Sequence, residues 1–229
     1  MRWDNIYLAG TGLYLPEQQY TAEQAVADGA YDASAAETNG IRAVRVANDD
    51  EAGVVMAAAA GRQAMSRSGH DSQDIDLVLH GYVSHQGREM WSPAHYVQQE
   101  TVGGGPSVTI EMRQGCNGLL AALELGASYL AARPDTTAAL LTAGDAFRLP
   151  YIDRWKSDDQ TIFGDAGSAL VLSKRQGFAR LLAGQRQWPA VMAGSSSTSC
   201  ATPRPTTGPR WSRPRYGNSP AGCCGSTRR

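Results

Sequence analysis

The stretch Ser107–Arg133, SVTIEMRQGCNGLLAALELGASYLAAR, decides the fold. Val108, Ile110 and Met112 alternate with Thr109 and Glu111, a period-two pattern that predicts a strand. From Cys116 to Arg133 the only charged residues are Glu124 and Arg133, so this segment reads as a buried helix. Strand, tight turn and helix together place one thiol, Cys116, at the first helical turn. Unpaired backbone N–H groups and the positive end of the peptide dipole favour a thiolate there. Gly115 and Gly118 on either side leave room for an attacked thioester carbonyl. Cys116 is the candidate nucleophile; the competing reading of a lone cysteine in an apolar helix is a small buried hydrophobe.

Outward from this unit, strands and helices alternate. Asn5–Leu15 predicts a strand running into a glycine turn at Gly10–Gly12, closed by Pro16. The missing third glycine argues against a dinucleotide loop. Thr21 caps a short helix reaching Asp28, and Gly40–Val46 predicts an exposed strand or loop with Arg42 and Arg45 outward. Glu51–Gly69 is an alanine-rich helix whose small side chains imply close packing on a sheet, with Gly69 as its stop. Asp74–Val83 has the apolar run of a doubly covered strand. Trp91–Glu100 reads as a helix opened by Ser92 and Pro93, and Thr137–Thr142 as another buried strand. Thr161–Ser173 places a glycine-rich bend before a strand. The expected class is α/β with a mixed sheet.

Composition divides the chain. All 22 acidic residues lie at or before Asp165, against 11 basic ones over the same span, a net charge of −11; residues 166–229 carry 10 basic residues and no acid. From Gly184 onward there is no Leu, no Ile and one Val, while Pro, Ser, Thr, Gly and Arg dominate. Such a segment buries too little apolar surface to offset its chain entropy. Residues 184–229 are therefore expected to be a low-complexity basic tail, disordered or translated out of frame from GC-rich DNA, following a folded unit at 1–183. Cys200, Cys223 and Cys224 there lack a regular metal-ligand spacing, and no His follows His95. His80 and His85, five residues apart, make a poor metal pair, so no metal is expected. A single cysteine in the first 199 residues provides no disulfide framework, and no window approaches the roughly 20 apolar residues of a membrane span. A cytoplasmic protein without nucleic-acid or membrane partners is the expectation.

Five motifs in this order carry a family resemblance: GTGLYLPE at Gly10–Glu17, GIR at Gly40–Arg42, DIDLVL at Asp74–Leu79, GCNG at Gly115–Gly118 and FGDAGSA at Phe163–Ala169. Their combination resembles beta-ketoacyl-acyl-carrier-protein synthase III, and within it the acyltransferase-like branch of antibiotic and polyketide biosynthesis. The resemblance covers roughly residues 4–183. It implies the N-terminal half of a thiolase-like fold, a homodimer, and substrates that are CoA or phosphopantetheine thioesters, with an acyl carrier protein as partner and no separate cofactor. It also implies that Cys116 accepts the acyl group and that backbone N–H groups, that of Cys116 included, hold the oxyanion. Acceptors in the family are malonyl-carrier protein, or in the antibiotic-pathway relatives a carrier thiol or a hydroxyl. Trp91 falls where the family places a bulky aromatic at the acyl-pocket mouth, reaching across the dimer, and plain interface packing is the alternative role. The residues around the nucleophile, Arg113, Gln114 and Asn117, stand where the synthases usually carry small alanines, which implies a different acyl group or acceptor. Asp165 reads as structural.

The family's catalytic His and Asn follow the FGD motif in its second half, whereas here no His follows His95 and Asn218 matches nothing. Two other readings stand beside acyl transfer. QGCNG resembles the nucleophile elbow of an α/β-hydrolase, which requires a downstream His, and a non-catalytic partner in a pathway complex requires no chemistry at all. Resequencing the gene around codon 184 is expected to reveal a frame rich in Leu, Ile and Val that supplies a His and an Asn; an unchanged frame would refute the frameshift reading.

Overall fold

The structure is a computed structural model that describes residues 2–158 and 161–183. The expected tail at 184–229 lies outside the described residues. Strands β1 (Tyr7–Tyr14), β4 (Ile75–Gly81), β5 (Val108–Met112), β6 (Ala138–Asp145), β7 (Ala166–Ser173) and β8 (Ala179–Arg180) form one sheet in the order β5-β4-β6-β7-β1-β8. The pairs β5/β4 and β4/β6 are parallel, whereas β6/β7, β7/β1 and β1/β8 are antiparallel. β2 (Gln19–Thr21) and β3 (Ala43–Arg45) make a separate antiparallel ribbon. The helices are α1 (Ala22–Ala27), α2 (Ala33–Asn39), α3 (Gly53–Ser68), α4 (Pro93–Val102) and α5 (Gly118–Ala132). This is a mixed α/β sheet, the class expected from the sequence.

Alternation along the central strands sorts the core into two layers. Val78, Leu140, Ala169 and Val171 meet Val54, Ala57, Ala60 and Ala64 of α3 and Val97 of α4 on one side. Leu77, Leu79, Leu141 and Leu172 meet Ala122, Ala127 and Leu130 of α5 on the other. The alanine-rich composition of α3 has a direct cause. A Cβ on Gly10 or Gly12 of β1 would enter the van der Waals shell of Ala64 O or Ala60 O, and one on Gly167 of β7 would meet the backbone of Met56. A Cβ on Gly53 would stand 2.6 Å from Gly144 O at the end of β6. Helix backbone and sheet backbone touch, which only glycine and small side chains allow.

That contact corrects the turn expected at Gly10–Gly12. β1 runs straight through both glycines and pairs with β7 there, because the glycines answer to the helix above them and not to a bend in the chain. Likewise the bend expected before the strand in Thr161–Ser173 is not formed at 161–165, and Gly167 is a strand residue. Thr21 forms a full capping box with Gln24, and Gly69 ends α3 in the left-handed conformation, both as expected. Arg45 is not directed outward: its Nη1 donates to the carbonyls of Pro16 and Glu17 at 2.9 and 3.0 Å. Helix α2, capped by Asp32 onto Ser34 and Ala35, and the two-residue β8 have no counterpart in the sequence expectations. The helix read as buried after Cys116 buries one face only. Leu120 and Leu125 are 66% and 54% exposed, since no described element covers α5 on the side away from the sheet.

At the N-terminal end of β4, His70 joins three elements. Its Nδ1 lies 3.1 Å from Asp74 Oδ2 and its Nε2 lies 2.8 Å from Ser173 Oγ, tying the end of α3 to the end of β7. Arg175 completes the cluster on Asp74 at 2.9 Å.

Gly12→Ala is expected to lower stability by about 3 kcal/mol through backbone overpacking. Gly81→Ala, whose new methyl has its nearest neighbour at 3.4 Å, is expected to stay within about 1 kcal/mol. Denaturant midpoints of the two variants check this, and equal midpoints would refute the contact as described.

Candidate active site

The parallel strands β4, β5 and β6 end together: Gly81 sits in register with Met112 on one side and Ala143 on the other. The segments leaving those ends, 82–92, 113–117 and 146–152, therefore gather at one edge of the sheet, where open α/β sheets place their sites. Cys116 lies in the second of them, in a single 3₁₀ turn, Gly115–Asn117, interposed between β5 and α5. It thus precedes the α-helix and is not its first residue. Gly115 adopts φ +55° with open space at its Cβ position, so this glycine is required by conformation. Gly118, by contrast, packs on the backbone of Gly81. Asn117 N–H donates to Gln114 O at 3.2 Å, closing the turn.

Cys116 and Gln114 are exposed and Asn117 is half-buried. The buried setting expected for the nucleophile is not present among the described residues: β5 ends on the buried Met112, but the turn that follows it leaves Cys116 exposed. Nor does any described side chain hydrogen-bond the thiol.

Beside this turn is a cleft of about 450 Å³ lined by Tyr82, His85, Arg88, Trp91, Arg113 and Tyr151 among others. Trp91 and Arg113 thus share one cavity, while Cys116, Gln114 and Asn117 stand outside its lining. The cleft walls are aromatic and cationic. Arg113 lies over the Tyr82 ring, 5.4 Å from its centroid, and donates to Val83 O at 3.1 Å. Arg88 lies 5.8 Å from the Trp91 ring. His85 stacks on Tyr151 at 5.0 Å, and its Nε2 is 3.0 Å from Glu89 Oε1, an ion-pair distance without hydrogen-bond alignment. A second cleft of about 270 Å³ shares Ser84, His85, Tyr151 and Ile152 with the first.

Buried carboxylates hold the cleft loops. Asp145 accepts the N–H groups of Val83 and Ser84 at 2.7 and 2.6 Å, and burial pushes its carboxyl above the ordinary range. Asp165, fully buried, accepts from Ala47 N and Phe147 N and binds both terminal nitrogens of Arg154, which supports its structural reading. Glu111 accepts from Tyr82 Oη at 2.9 Å and from Ser92 Oγ at 2.6 Å, with His95 Nδ1 2.7 Å from the same Ser92 oxygen. Ser92 therefore does not cap α4 with its side chain, since the hydroxyl is engaged by Glu111. His80 is a core residue. It is fully buried between Thr142 Oγ1 and Gln86 Oε1, and desolvation lowers its pKa to about 4. Tyr82, Arg88, Glu89 and Tyr151 were not singled out by sequence reasoning. No spacing rule joins a loop after β4 to one after β6, and the only advance signal was that all three segments follow parallel strands.

Among the described residues no group of three or more His, Cys, Asp or Glu is arranged to hold a metal ion. No helix among them is long and apolar enough to cross a membrane.

The family model described as 3-Oxoacyl-[acyl-carrier-protein (ACP)] synthase III matches residues 110–185, the segment that holds Cys116. Beta-ketoacyl-[acyl-carrier-protein] synthase III of Synechococcus sp. (strain RCC307) is 32% identical over 133 residues, 58% of this chain and 38% of that protein. The enzyme of the same name from Methylococcus capsulatus is 31% identical over 169 residues, 72% of this chain and 50% of its own length. Among solved structures, the acyltransferase ChlB3 superposes with a TM-score of 0.72 at 39% identity, covering 76% of this chain and 52% of that one. The 3-oxoacyl-[acyl-carrier-protein] synthase III of Aquifex aeolicus VF5 gives a TM-score of 0.62 at 22% identity, covering 73% and 53%, a likeness of fold. The chain spans about half the length of the relatives it matches, or less.

His80 links this site to pH. Below its unfolded pKa of 6.5 the unfolded chain takes up a proton that the buried, neutral imidazole refuses down to about 4. Stability is therefore lost as pH falls through that window, by about 3 kcal/mol if His80 acts alone. Urea denaturation at pH 7 and pH 4.5 is expected to show a smaller acid loss in His80→Gln than in the native chain; parallel losses would refute the assignment.

Proposed function

We propose, since the chain belongs to the 3-oxoacyl-[acyl-carrier-protein] synthase III family of thiolase-like proteins, that Cys116 is its acyl-accepting nucleophile. The whole protein would move an acyl group from a CoA or carrier-protein thioester, through that sulfur, to malonyl-carrier protein or another acceptor. The observation that carries the reading is the position of the thiol: exposed, on the turn between β5 and α5, within the segment that matches the family model.

In the first half-reaction the Cys116 sulfur attacks the thioester carbonyl, and the tetrahedral oxyanion is held by backbone N–H groups of the turn. Collapse forms the Cys116 thioester and breaks the donor C–S bond. The departing thiolate takes the proton that Cys116 gave up. Gln114 and Asn117 flank the sulfur and contact the incoming acyl group, and Trp91 stands at the mouth of its pocket, reaching a second copy in a homodimer. An acyl carrier protein is the partner that presents donor or acceptor.

The two half-reactions make different demands. Acylation needs a nucleophilic sulfur and amide donors. Condensation also needs groups that polarise the second carbonyl and drive decarboxylation, and no described side chain bonds the thiol or faces it in that role. The 229-residue chain is thus expected to take up an acyl group without forming a condensed product.

Incubation with acyl-CoA, followed by peptide mass spectrometry, is expected to find the acyl mass on Cys116, with labelling abolished in Cys116→Ala. Acyl mass on another residue, or none on any, would overturn the reading, while rapid release of free acid would favour hydrolysis over transfer.

A further inference from the structure

The cleft beside the Cys116 turn is lined by two arginines, Arg88 and Arg113, together with one carboxylate, Glu89. Neither guanidinium has a carboxylate within ion-pair distance among the described residues. Neither nearby acid pairs with them: Glu89, which also lines the cleft, stands at ion-pair distance from His85, and Glu111 accepts from the hydroxyls of Tyr82 and Ser92. Trp91, also in the lining, has a buried indole N–H that meets no acceptor among the described residues. Native proteins seldom leave a buried donor without an acceptor, so water, an ion or a ligand is called for at such a group.

The arrangement also has a shape. Each guanidinium lies over an aromatic ring, Arg113 over Tyr82 and Arg88 over Trp91, and Arg113 gives only Nη2 to Val83 O, which leaves N–H groups on both for a planar acceptor. A fork of N–H groups matches a carboxylate bidentately. A plain alkyl chain in the same place would strip water from both guanidiniums and return no hydrogen bond. The cleft, about 450 Å³, is of small-molecule size. Arg113 is three residues from Cys116 in sequence, so their backbones stand within roughly 10 Å of one another.

We infer that this cleft receives an acyl group carrying a free carboxylate at its far end, the carboxylate bound by Arg113 and Arg88 while the thioester carbon lies at Cys116. The inference rests on the reading of Cys116 as acyl acceptor, and names the class of acyl group that reading leaves open.

The full 229-residue chain would be incubated with glutaryl-CoA or with pentanoyl-CoA, donors of equal carbon count that differ in the terminal carboxylate, and Cys116 acylation followed by mass spectrometry. Glutaryl transfer is expected to be about tenfold faster or more, the scale of a charge-assisted bidentate contact. Arg113→Met is expected to remove that preference by slowing glutaryl and sparing pentanoyl transfer, and Arg88→Met to reduce it, giving a second variant should the first fail to fold. Equal rates, or faster pentanoyl transfer, would overturn the inference and leave the Cys116 reading intact. If neither donor labels Cys116, the Cys116 reading fails. Tryptophan fluorescence titrated with glutaryl-CoA then decides for the cleft: quenching lost in Arg113→Met upholds a carboxylate site, and no quenching in the native chain overturns it.

Discussion

Contact between the backbone of α3 and the glycines of three neighbouring strands is the constraint on which the rest of the molecule depends. Gly10 and Gly12 on β1, Gly144 on β6 and Gly167 on β7 each leave room for a helix carbonyl or amide where any side chain would stand. An approach this close favours small residues at the points of contact, which accounts for Gly53, Ala57, Ala60, Ala64 and Ser68. On the same helix, Gly61 leaves room for Thr101 of α4, whose methyl would stand 2.6 Å from an added Cβ. Beneath the helix the ladder β6-β7-β1 pairs both Gly10 and Gly12 with β7, after one register shift between Leu8 and Gly10.

The other face obeys a looser rule. Leu77, Leu79, Leu141 and Leu172 project full-sized side chains toward α5, and Gly126 is the one glycine of that helix that must accommodate them, with Leu141 Cδ2 at 3.1 Å from where its Cβ would be. The sheet is therefore asymmetric, tight on the α3 side and conventionally packed on the α5 side. Because β4, β5 and β6 are parallel, the loops that carry chemistry leave from a single edge. Cys116, the Trp91 loop and the Tyr151 loop converge there without being near in sequence.

How much of this was legible in the residues follows from how local each feature is. The β5-turn-α5 unit, the capping box at Thr21 and the stop at Gly69 are determined within a few residues, and their patterns were readable. Gly10–Gly12 was misread as a turn, since in isolation two glycines around a threonine describe a bend equally well; only the helix packed on them removes that option. The exposure of Cys116 and of one face of α5 was equally hidden, because an apolar helix reads as buried whether or not a second layer is present. The cleft was the least legible part. Its cations and rings come from separate loops, and Arg113 was noted only for differing from the small residues usual at its place in the family.

Asp165 shows how a site can be sustained from outside. Its carboxylate gathers the amides of Ala47 and Phe147 and both arms of Arg154, so a single buried anion clamps the segment that continues into Leu149 and Tyr151 at the cleft wall. No ligand entering the cleft would touch it. Sequence drift at that position would consequently masquerade as a change in substrate preference: the architecture routes a distant lesion to the binding wall, and a screen that ranks residues by kinetic damage alone would promote a scaffold strut to the rank of a specificity determinant.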